Sequence, residues 1–401
     1  MLQHALRLIH AADLHLGYAF AGLPATVRYT LKQDESRQMA RLVDCCINEK
    51  VDALILAGDV FEHDRPEKET VRLLQDALYR LDDAGIYVFI SPGNHDPIWP
   101  DSVWNDTSWP ERTIIFGSET ERVELKGKRA AFFGRAFSAK TEKVALIDEL
   151  RPALNDKQIN VLCLHGDVVS DGQITYYNPI RKRLLTIPHL DYAALGHVHK
   201  RLQEEPGWPY PQAAYAGTWR GRGFDETGRM GVYLVSLSKH LSTLAVPFPP
   251  QVQLIDVGPQ LTFIPLDRHP FIKIDVKRKG AGFSAADIAS DMDLAAAELD
   301  VKKEDALWRI TLVGDYGDYR PSINQLLAHL EPDHLYVELR DLSTAPFDPE
   351  MEREHSVKGA FLRQSKRALT IDREHELALD LGLSAFDGPI DLERFFRERR
   401  P

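Results

Sequence analysis

The chain has 401 residues, 44% of them hydrophobic and 27% charged, and carries a formal net charge of −11. That length and apolar content suit a globular protein of about two or three domains with a large buried core, and exclude a wholly disordered chain. The acidic balance weighs against a uniformly basic nucleic-acid binder, whose affinity comes mainly from neutralising phosphates, but leaves room for local cationic clusters.

Taken in chain order, the first apolar run is Leu6-Arg7-Leu8-Ile9, and it leads into Asp13-Leu14-His15. Apolar Met39, Leu42, Val43, Cys46 and Ile47 recur at helical spacing and predict a helix over 34–50. Leu54-Ile55-Leu56-Ala57-Gly58-Asp59 reads as a second strand ending in a carboxylate. Val71, Leu74, Ala77 and Leu78 predict a second helix over 66–82, with Pro66 in its first turn and Gly85 closing it. Ile86-Tyr87-Val88-Phe89-Ile90 delivers Gly93-Asn94-His95-Asp96, Val161-Leu162-Cys163-Leu164 delivers His165, and Tyr192-Ala193-Ala194-Leu195 delivers Gly196-His197-Val198-His199. Five apolar runs, each with polar groups at its carboxyl end, match the place where open α/β sheets build active sites. Alternating strands and helices predict a layered α/β domain over 1–250.

Segments 231–236 and 240–246 look like a hairpin, and Pro247-Phe248-Pro249-Pro250 marks a break after it. A second unit over 268–343 has alternating strands at Phe271-Ile272-Lys273-Ile274-Asp275-Val276, at 307–313 and at Leu335-Tyr336-Val337-Glu338-Leu339. Helices from Ser284 and from Pro321-Ser322 separate them, so the order is βαβαβ, a small α+β accessory domain. The tail over 346–401 is charged and helical in pattern. In it, Asp387-Gly388-Pro389 resembles a helix start, and Ile390, Leu392, Phe395 and Phe396 form an apolar stripe that docks on its own protein or on a partner. No stretch reaches about 18 uninterrupted apolar residues, and the first strand begins almost at Met1, which leaves no room for a cleaved signal. Together with three cysteines, Cys45, Cys46 and Cys163, that form no disulfide framework, this leads us to expect a cytoplasmic protein in a reducing compartment.

The strand-end residues Asp13, His15, Asp59, Asn94, His165, His197 and His199 are enough donors for two metal ions. Two ions about 3.5–4 Å apart neutralise the anionic oxygens of a phosphodiester and acidify a water, which is what its slow hydrolysis needs. Asp59, midway in the series, is the natural bridge; Asp13, His15 and His199 would complete one ion, and Asn94, His165 and His197 the other. Read as extended, Asp13/His15 and His197/His199 project to the same side, although spacing alone does not assign them to ions. Mixed nitrogen and oxygen donors suit Mn²⁺, Fe²⁺ or Zn²⁺ better than Mg²⁺ or Ca²⁺. His95 is placed to protonate the leaving alkoxide or to stabilise the phosphorane, with Asp96 orienting it. His10, His63 and His189 fit no slot and read as ordinary. Arg181-Lys182-Arg183, Lys200-Arg201 and Arg220-Gly221-Arg222 lie near the last ligand segments, and Arg181, Lys182, Arg183, Arg220 and Arg222 are the candidates for contacting a nucleic-acid backbone.

These five motifs, Asp13-x-His15, Gly58-Asp59, Gly93-Asn94-His95-Asp96, His165-Gly166 and Gly196-His-x-His199, resemble those of the calcineurin-like metallophosphoesterase superfamily. Within it the chain is similar to the SbcD-type DNA repair exonucleases, and to their shorter YhaO-like branch, through Ile9-His10-Ala11-Ala12-Asp13-Leu14-His15-Leu16-Gly17, Ala57-Gly58-Asp59-Val60-Phe61-Glu62, and Tyr215-Ala216-Gly217-Thr218 followed by Gly223-Phe224-Asp225-Glu226. The resemblance covers the first 250 residues and implies a β-sandwich flanked by helices, the 268–343 unit matching the family's capping domain in size and position. It implies a Mn²⁺-dependent DNA nuclease of the 3′–5′ exonuclease kind, with endonuclease activity open beside it, working with an SMC-like ATPase bound to the C-terminal helices. Homodimers are common in that family. The residue matching His95 acts in catalysis there and is not a principal ligand. Where the family commonly has Asp, this chain has Glu62, at a position expected to support a ligand. The rival reading is a phosphodiesterase or phosphatase for a small nucleotide-like ester, favoured by the acidic charge. A scaffold keeping metals only for stability is a third, disfavoured because no member of the constellation is missing.

Overall fold

The computed structural model describes residues 3–125, 127–150, 153–202, 207–244, 251–256, 258–278, 283–315, 322–344, 353, 355–367, 378–379, 381–383 and 385–386. The chain divides into two compact units, Met1–Arg268 and His269–Pro401.

In the first unit, β1 (Gln3–Ala11), α1 (Ala25–Asn48), β2 (Ala53–Leu56), α2 (Lys68–Asp83), β3 (Tyr87–Ile90), α3 (Val103–Asp106) and β4 (Thr113–Ile115) come first. They are followed by β5 (Glu121–Glu124), β6 (Ala130–Gly134), β7 (Ile159–His165), β8 (Asp167–Val169), β9 (Pro179–Arg181), β10 (Tyr192–Gly196), β11 (Ala213–Tyr215), β12 (Gly231–Leu244), β13 (Gln251–Asp256) and β14 (Gln260–Pro265). One seven-stranded sheet has the order β13-β12-β1-β2-β3-β4, with β14 also on β12; a five-stranded sheet has the order β11-β10-β7-β6-β5.

The two sheets face each other. Leu6, Leu8, Ala53, Ile55 and Phe89 from the first pack against Phe132, Val161, Cys163, Tyr192 and Ala194 from the second, and the Phe89 and Phe132 rings stack with centroids 3.8 Å apart. The alternate residues Leu54, Leu56, Val88 and Ile90 turn the other way and bury Leu42, Val43 and Cys46 of α1 and Leu74, Leu78 and Leu81 of α2. Strands covered on both faces must be apolar throughout, which is why the ligand-bearing runs read as unbroken hydrophobic segments. The chain is a mixed α/β protein consistent with the metallophosphoesterase fold.

Several elements differ from their sequence expectation. Helix α1 begins at Ala25, nine residues before the predicted start. Its first turns bury only Val27 and Leu31, and farther along the buried positions Asp34, Glu35 and Gln38 are polar, so the apolar pattern emerges late. Pro66 lies one residue before the α2 N-cap, Glu67, rather than in the first turn. Gly85 does close α2: at φ +76 it lets Ile86 N–H donate to Leu81 O at 2.9 Å, a backward bond that left-handed geometry permits. The expected hairpin over 231–246 is one strand, β12, because nothing between 236 and 240 demands a turn and its antiparallel ladder to β1 runs unbroken from Tyr233 to His240. The Pro247–Pro250 break falls outside the described residues; beyond it β13 and β14 return to β12, so the first unit runs to Arg268.

The second unit holds β15 (Phe271–Arg278), α4 (Ala285–Glu298), β16 (Leu307–Asp315), α5 (Ile323–Leu330), β17 (Tyr336–Thr344) and α6 (Val357–Arg367). Its three strands are parallel with β16 central. Ser284 and Ser322 cap α4 and α5 by accepting from the amides of Asp287 and Gln325, and Ile288, Met292, Leu326 and Leu330 bury against Ile272, Val276, Trp308 and Ile310. The stripe of Ile390, Leu392, Phe395 and Phe396 and the Asp387-Gly388-Pro389 helix start lie outside the described residues.

Candidate metal centre

The carboxyl ends of β1, β2 and β3 in one sheet and of β7 and β10 in the other deliver their polar residues to one place. The strand ends are not extended there: Asp13, His15, Asp59 and His197 all have positive φ, at 52°, 46°, 48° and 99°. Non-glycine residues in this region store strain of roughly 1–3 kcal/mol each, and such strain concentrates at functional sites. The two pairs are therefore not extended as expected: Asp13 and His15 still reach one group of donors, whereas His197 and His199 reach different ones. Gly58, at φ +87, has no room for a side chain because the His165 ring occupies the space beside it.

Three groups of ligand-type atoms, each mutually within 4.8 Å, result: Asp13, His15 and His199; Asp59, His165 and His197; and His15, Glu62 and His95. Asp59 Oδ2 lies 3.2 Å from His165 Nε2 and 3.9 Å from His15 Nε2, which puts it between the first two groups. Asn94 Oδ1 joins the second at 3.1 Å from His165 Nε2. Asp13 Oδ1 is 3.7 Å from His199 Nε2 and 4.0 Å from His165 Nδ1, and its carboxylate accepts the His197 N–H at 3.0 and 3.1 Å.

Hydrogen bonding on the far side of each ring decides what faces inward. His15 Nδ1 donates to Glu62 Oε2 at 2.7 Å, and burial holds the ring below its usual range and therefore neutral, so Nε2 carries a bare lone pair. That lone pair points at His199 Nε2, 3.3 Å away. His165 Nδ1 donates to Ala57 O at 2.9 Å, which leaves its Nε2 facing the acceptor oxygens of Asp59 and Asn94. Buried acceptors turned toward acceptors are costly unless a cation stands among them. Burial alone would lower His165, but the Asp59 carboxylate overrides it and raises the ring to about 9, so the cation among these acceptors is here a proton on Nε2, donated to Asp59, which a divalent metal ion would replace. The donor set fits divalent metal ions.

His199 Nδ1 donates to Glu226 Oε1 at 2.7 Å. Arg222 Nη2 crowds the same nitrogen at 2.5 Å, a contact that cannot coexist with that donation; we assign it to the anchoring of both groups on Glu226, which Arg222 also reaches at 2.7 Å. Burial works to raise Glu226, yet His199 and Arg222 bring it down to about 2. His197 stays neutral, lowered to about 3 by burial and by His165; Tyr177 packs on its ring at 4.7 Å and Asp167 Oδ1 lies 3.5 Å from its Nε2. His95 is the most open of these histidines: its ring meets His15 edge-on at 4.8 Å, its amide donates to Asp59 Oδ1, and Nδ1 lies 3.0 Å from Glu62 O.

Asp96 does not orient His95. Its Oδ2 accepts the amides of Val60 and Phe61 and its Oδ1 that of Gly93, so it ties the Asp59 and Asn94 loops together. Burial and the Asp59 charge push it up to about 7. Nor is Arg220 available to a nucleic acid: it is buried, pairs with Glu35 Oε1 at 2.7 Å, donates to Leu31 O and lies over the Phe20 ring. Arg222 is largely buried against Glu226 and lies 3.8 Å from Glu62. Arg181 donates to Ser170 O and Gln173 O, Arg183 pairs with Asp148 and Asp171, and Lys182 is exposed. Glu226, bonded to His199, and Asp167, near His197, escape a reading by spacing because they lie 27 and 30 residues from those histidines. The four residues Gly223-Phe224-Asp225-Glu226 belong to a motif, but only the fold brings Glu226 to His199.

A two-sheet α/β layer with carboxylates and imidazoles gathered at its strand ends has the architecture of the metallophosphoesterase fold and the donor set of a divalent-metal centre. Comparison with known proteins agrees: residues 6–201 match the family described as calcineurin-like phosphoesterase. The chain is similar to the uncharacterized metallophosphoesterase YhaO of Bacillus subtilis, 31% identical over 242 residues, covering 58% of each chain. It is also similar to the DNA double-strand break repair protein Mre11 of Methanopyrus kandleri, 28% identical over 260 residues, covering 58% of this chain and 54% of that one. The match thus spans little more than half the length of these relatives. Among solved structures, TT1561 of Thermus thermophilus superposes with a TM-score of 0.34 at 10% identity over 58% of this chain and 94% of that one, too loose a likeness to build on. Among the described residues no helix is long and apolar enough to cross a membrane.

Proposed function

We propose that the chain is a DNA nuclease that hydrolyses phosphodiester bonds with two divalent metal ions, Mn²⁺ before Fe²⁺ or Zn²⁺, as a 3′–5′ exonuclease with endonuclease activity beside it. The observation that carries this is the position of Asp59 between the Asp13–His15–His199 and Asp59–His165–His197 groups, with His95 open at their edge. Divalent cations in such a site neutralise phosphate charge and acidify a water. The chain's own residues do the rest. Glu62 and Glu226 keep His15 and His199 in the tautomer that turns Nε2 inward. Asp96 holds the Asp59 and Asn94 loops in register. His95, its Nδ1 beside Glu62 O, offers Nε2 to the departing alkoxide and gives it a proton. DNA as substrate is supported by the likeness to Mre11; from the motif resemblance to SbcD-type nucleases we propose in addition an SMC-like ATPase partner bound through the C-terminal helices, the 268–343 unit as a capping domain and a homodimer as the assembly, and from the cysteine usage a cytoplasmic location.

The disposition of the basic residues favours the second reading, a small nucleotide-like ester. Of the five proposed backbone contacts Arg220 is buried and Arg181, Arg183 and Arg222 are engaged by oxygens of the chain. An end-labelled linear duplex, a single strand and a panel of nucleotide phosphodiesters with Mn²⁺ decide between them, with Asp59→Ala as the blank. DNA degradation lost in the variant upholds the nuclease; turnover of small esters with intact DNA overturns it in favour of the second reading.

A further inference from the structure

His10 reads from the sequence as an ordinary histidine, yet the fold buries it completely between the two sheets. It lies on the inward face of β1 with Leu6 and Leu8, and with Ala12 just past the strand end, all three apolar residues packed against the opposite sheet. Its Nε2 is 3.2 Å from Leu195 O and its Nδ1 is 2.7 Å from Tyr192 Oη. A carbonyl only accepts, so Nε2 carries the proton and donates it; Nδ1 is then the acceptor and takes the tyrosine hydroxyl. Burial holds the ring neutral, down at about 3, so this arrangement does not change with pH in the working range.

The chain of bonds Tyr192 O–H to His10 to Leu195 C=O crosses from one sheet to the other. β1 continues into Asp13 and His15, and β10 into His197 and His199, so the link lies three residues before the first pair of candidate ligands and two before the second. Nearer the mouth the same two strand ends are joined once more, by the His197 N–H on the Asp13 carboxylate. Packing alone would be served by a leucine at position 10; an imidazole and a hydroxyl buried together are tolerable only because each satisfies the other, and hydrogen bonds fix a separation more sharply than apolar contact does. We propose that His10 and Tyr192 are positioning residues that set the spacing between the β1 and β10 ends, and with it the geometry of the Asp13–His15–His199 group.

This rests on the reading of that group as a metal site, and the test keeps the two apart. Mn²⁺ alone is titrated into the full chain by calorimetry for wild type, Tyr192→Phe, His10→Leu, His10→Gln and Asp59→Ala, with circular dichroism and thermal unfolding in parallel. Glutamine can accept from Tyr192 and donate to Leu195, so it retains the link that leucine loses. The expected result is Mn²⁺ affinity about tenfold weaker in Tyr192→Phe and His10→Leu and restored in His10→Gln, as when groups supporting a metal ligand are removed. Tyr192→Phe removes a single oxygen and serves as the deciding variant if His10→Leu does not fold. Wild-type affinity in a folded Tyr192→Phe, or glutamine behaving like leucine, overturns the proposal. Unaltered Mn²⁺ binding in Asp59→Ala overturns instead the metal-site reading beneath it.

Discussion

Glu226 is the sharpest point at which to test the centre, because it touches a candidate ligand without belonging to any of the three groups. Its carboxylate accepts from His199 Nδ1 at 2.7 Å, from Arg222 N–H at 2.9 Å and from Arg222 Nη2 at 2.7 Å. Glu226→Ala frees the His199 ring to rotate, leaves its tautomer unset and releases Arg222 toward Glu62, 3.8 Å away. Asp13 keeps its bond from His197 and His15 keeps Glu62, so one ligand of three is loosened and the loss falls on the Asp13–His15–His199 group. Removing the partner of a metal-bound histidine costs about 10–100-fold in affinity, or roughly 1.4–2.7 kcal/mol. Glu226→Gln, which keeps an acceptor but loses the charge, is expected near the lower end and alanine near the upper. Mn²⁺ titration gives the affinities, and hydrolysis of a simple aryl phosphodiester across a metal series separates binding from turnover: saturating Mn²⁺ restores most of kcat. Wild-type Mn²⁺ affinity in Glu226→Ala, or a loss of kcat that no metal concentration repairs, refutes the argument.

His95→Gln keeps Mn²⁺ affinity but lowers turnover at saturating metal by about 10²–10⁴-fold, the usual contribution of a positioned acid; equal turnover removes His95 from the chemistry. Arg220→Ala strands Glu35 in a buried setting and costs roughly 3–5 kcal/mol in urea unfolding, while the salt dependence of DNA affinity in the surviving folded fraction stays as in wild type; a shallower salt slope would return Arg220 to the DNA interface. For Asp267, burial outweighs Arg229 and raises the carboxyl from 3.8 to about 6. The folded chain then holds this proton more tightly than the unfolded one, so the contribution is fully present below about 3.8 and is lost as pH rises through about 6. The unfolding free energy of wild type relative to Asp267→Asn should fall by roughly 3 kcal/mol as pH rises across that window, and a flat difference contradicts the assignment.

What reads directly from the sequence is whatever depends on short range. Runs such as Leu54-Ile55-Leu56-Ala57 declare buried strands because both faces of β2 are covered, and the ligand-type residues follow within a few positions of each strand end. The βαβαβ order of the second unit is legible for the same reason, its serine caps standing next to the helices they start. Where the pattern misleads, a distant partner is responsible. The first turns of α1 hide because the positions that follow bury Glu35 and Gln38 for the sake of Arg220 and the Trp219 carbonyl, which lie 185 and 181 residues away. Asp96 beside His95 suggests a pair, but the backbone amides of residues 60, 61 and 93 claim its oxygens.

The class of chemistry was already written in the order of residues: which of them could hold metal, on which strand ends, in which succession. It took the folded chain to establish which of them come within reach of one another, which nitrogen His15 and His199 turn inward, and that Arg220 and Asp96 are internal braces while Glu226 stands behind a candidate ligand. A ligand's identity is a local property of the chain, whereas its orientation is set by hydrogen bonds and burial that exist only once two sheets distant in sequence have packed together.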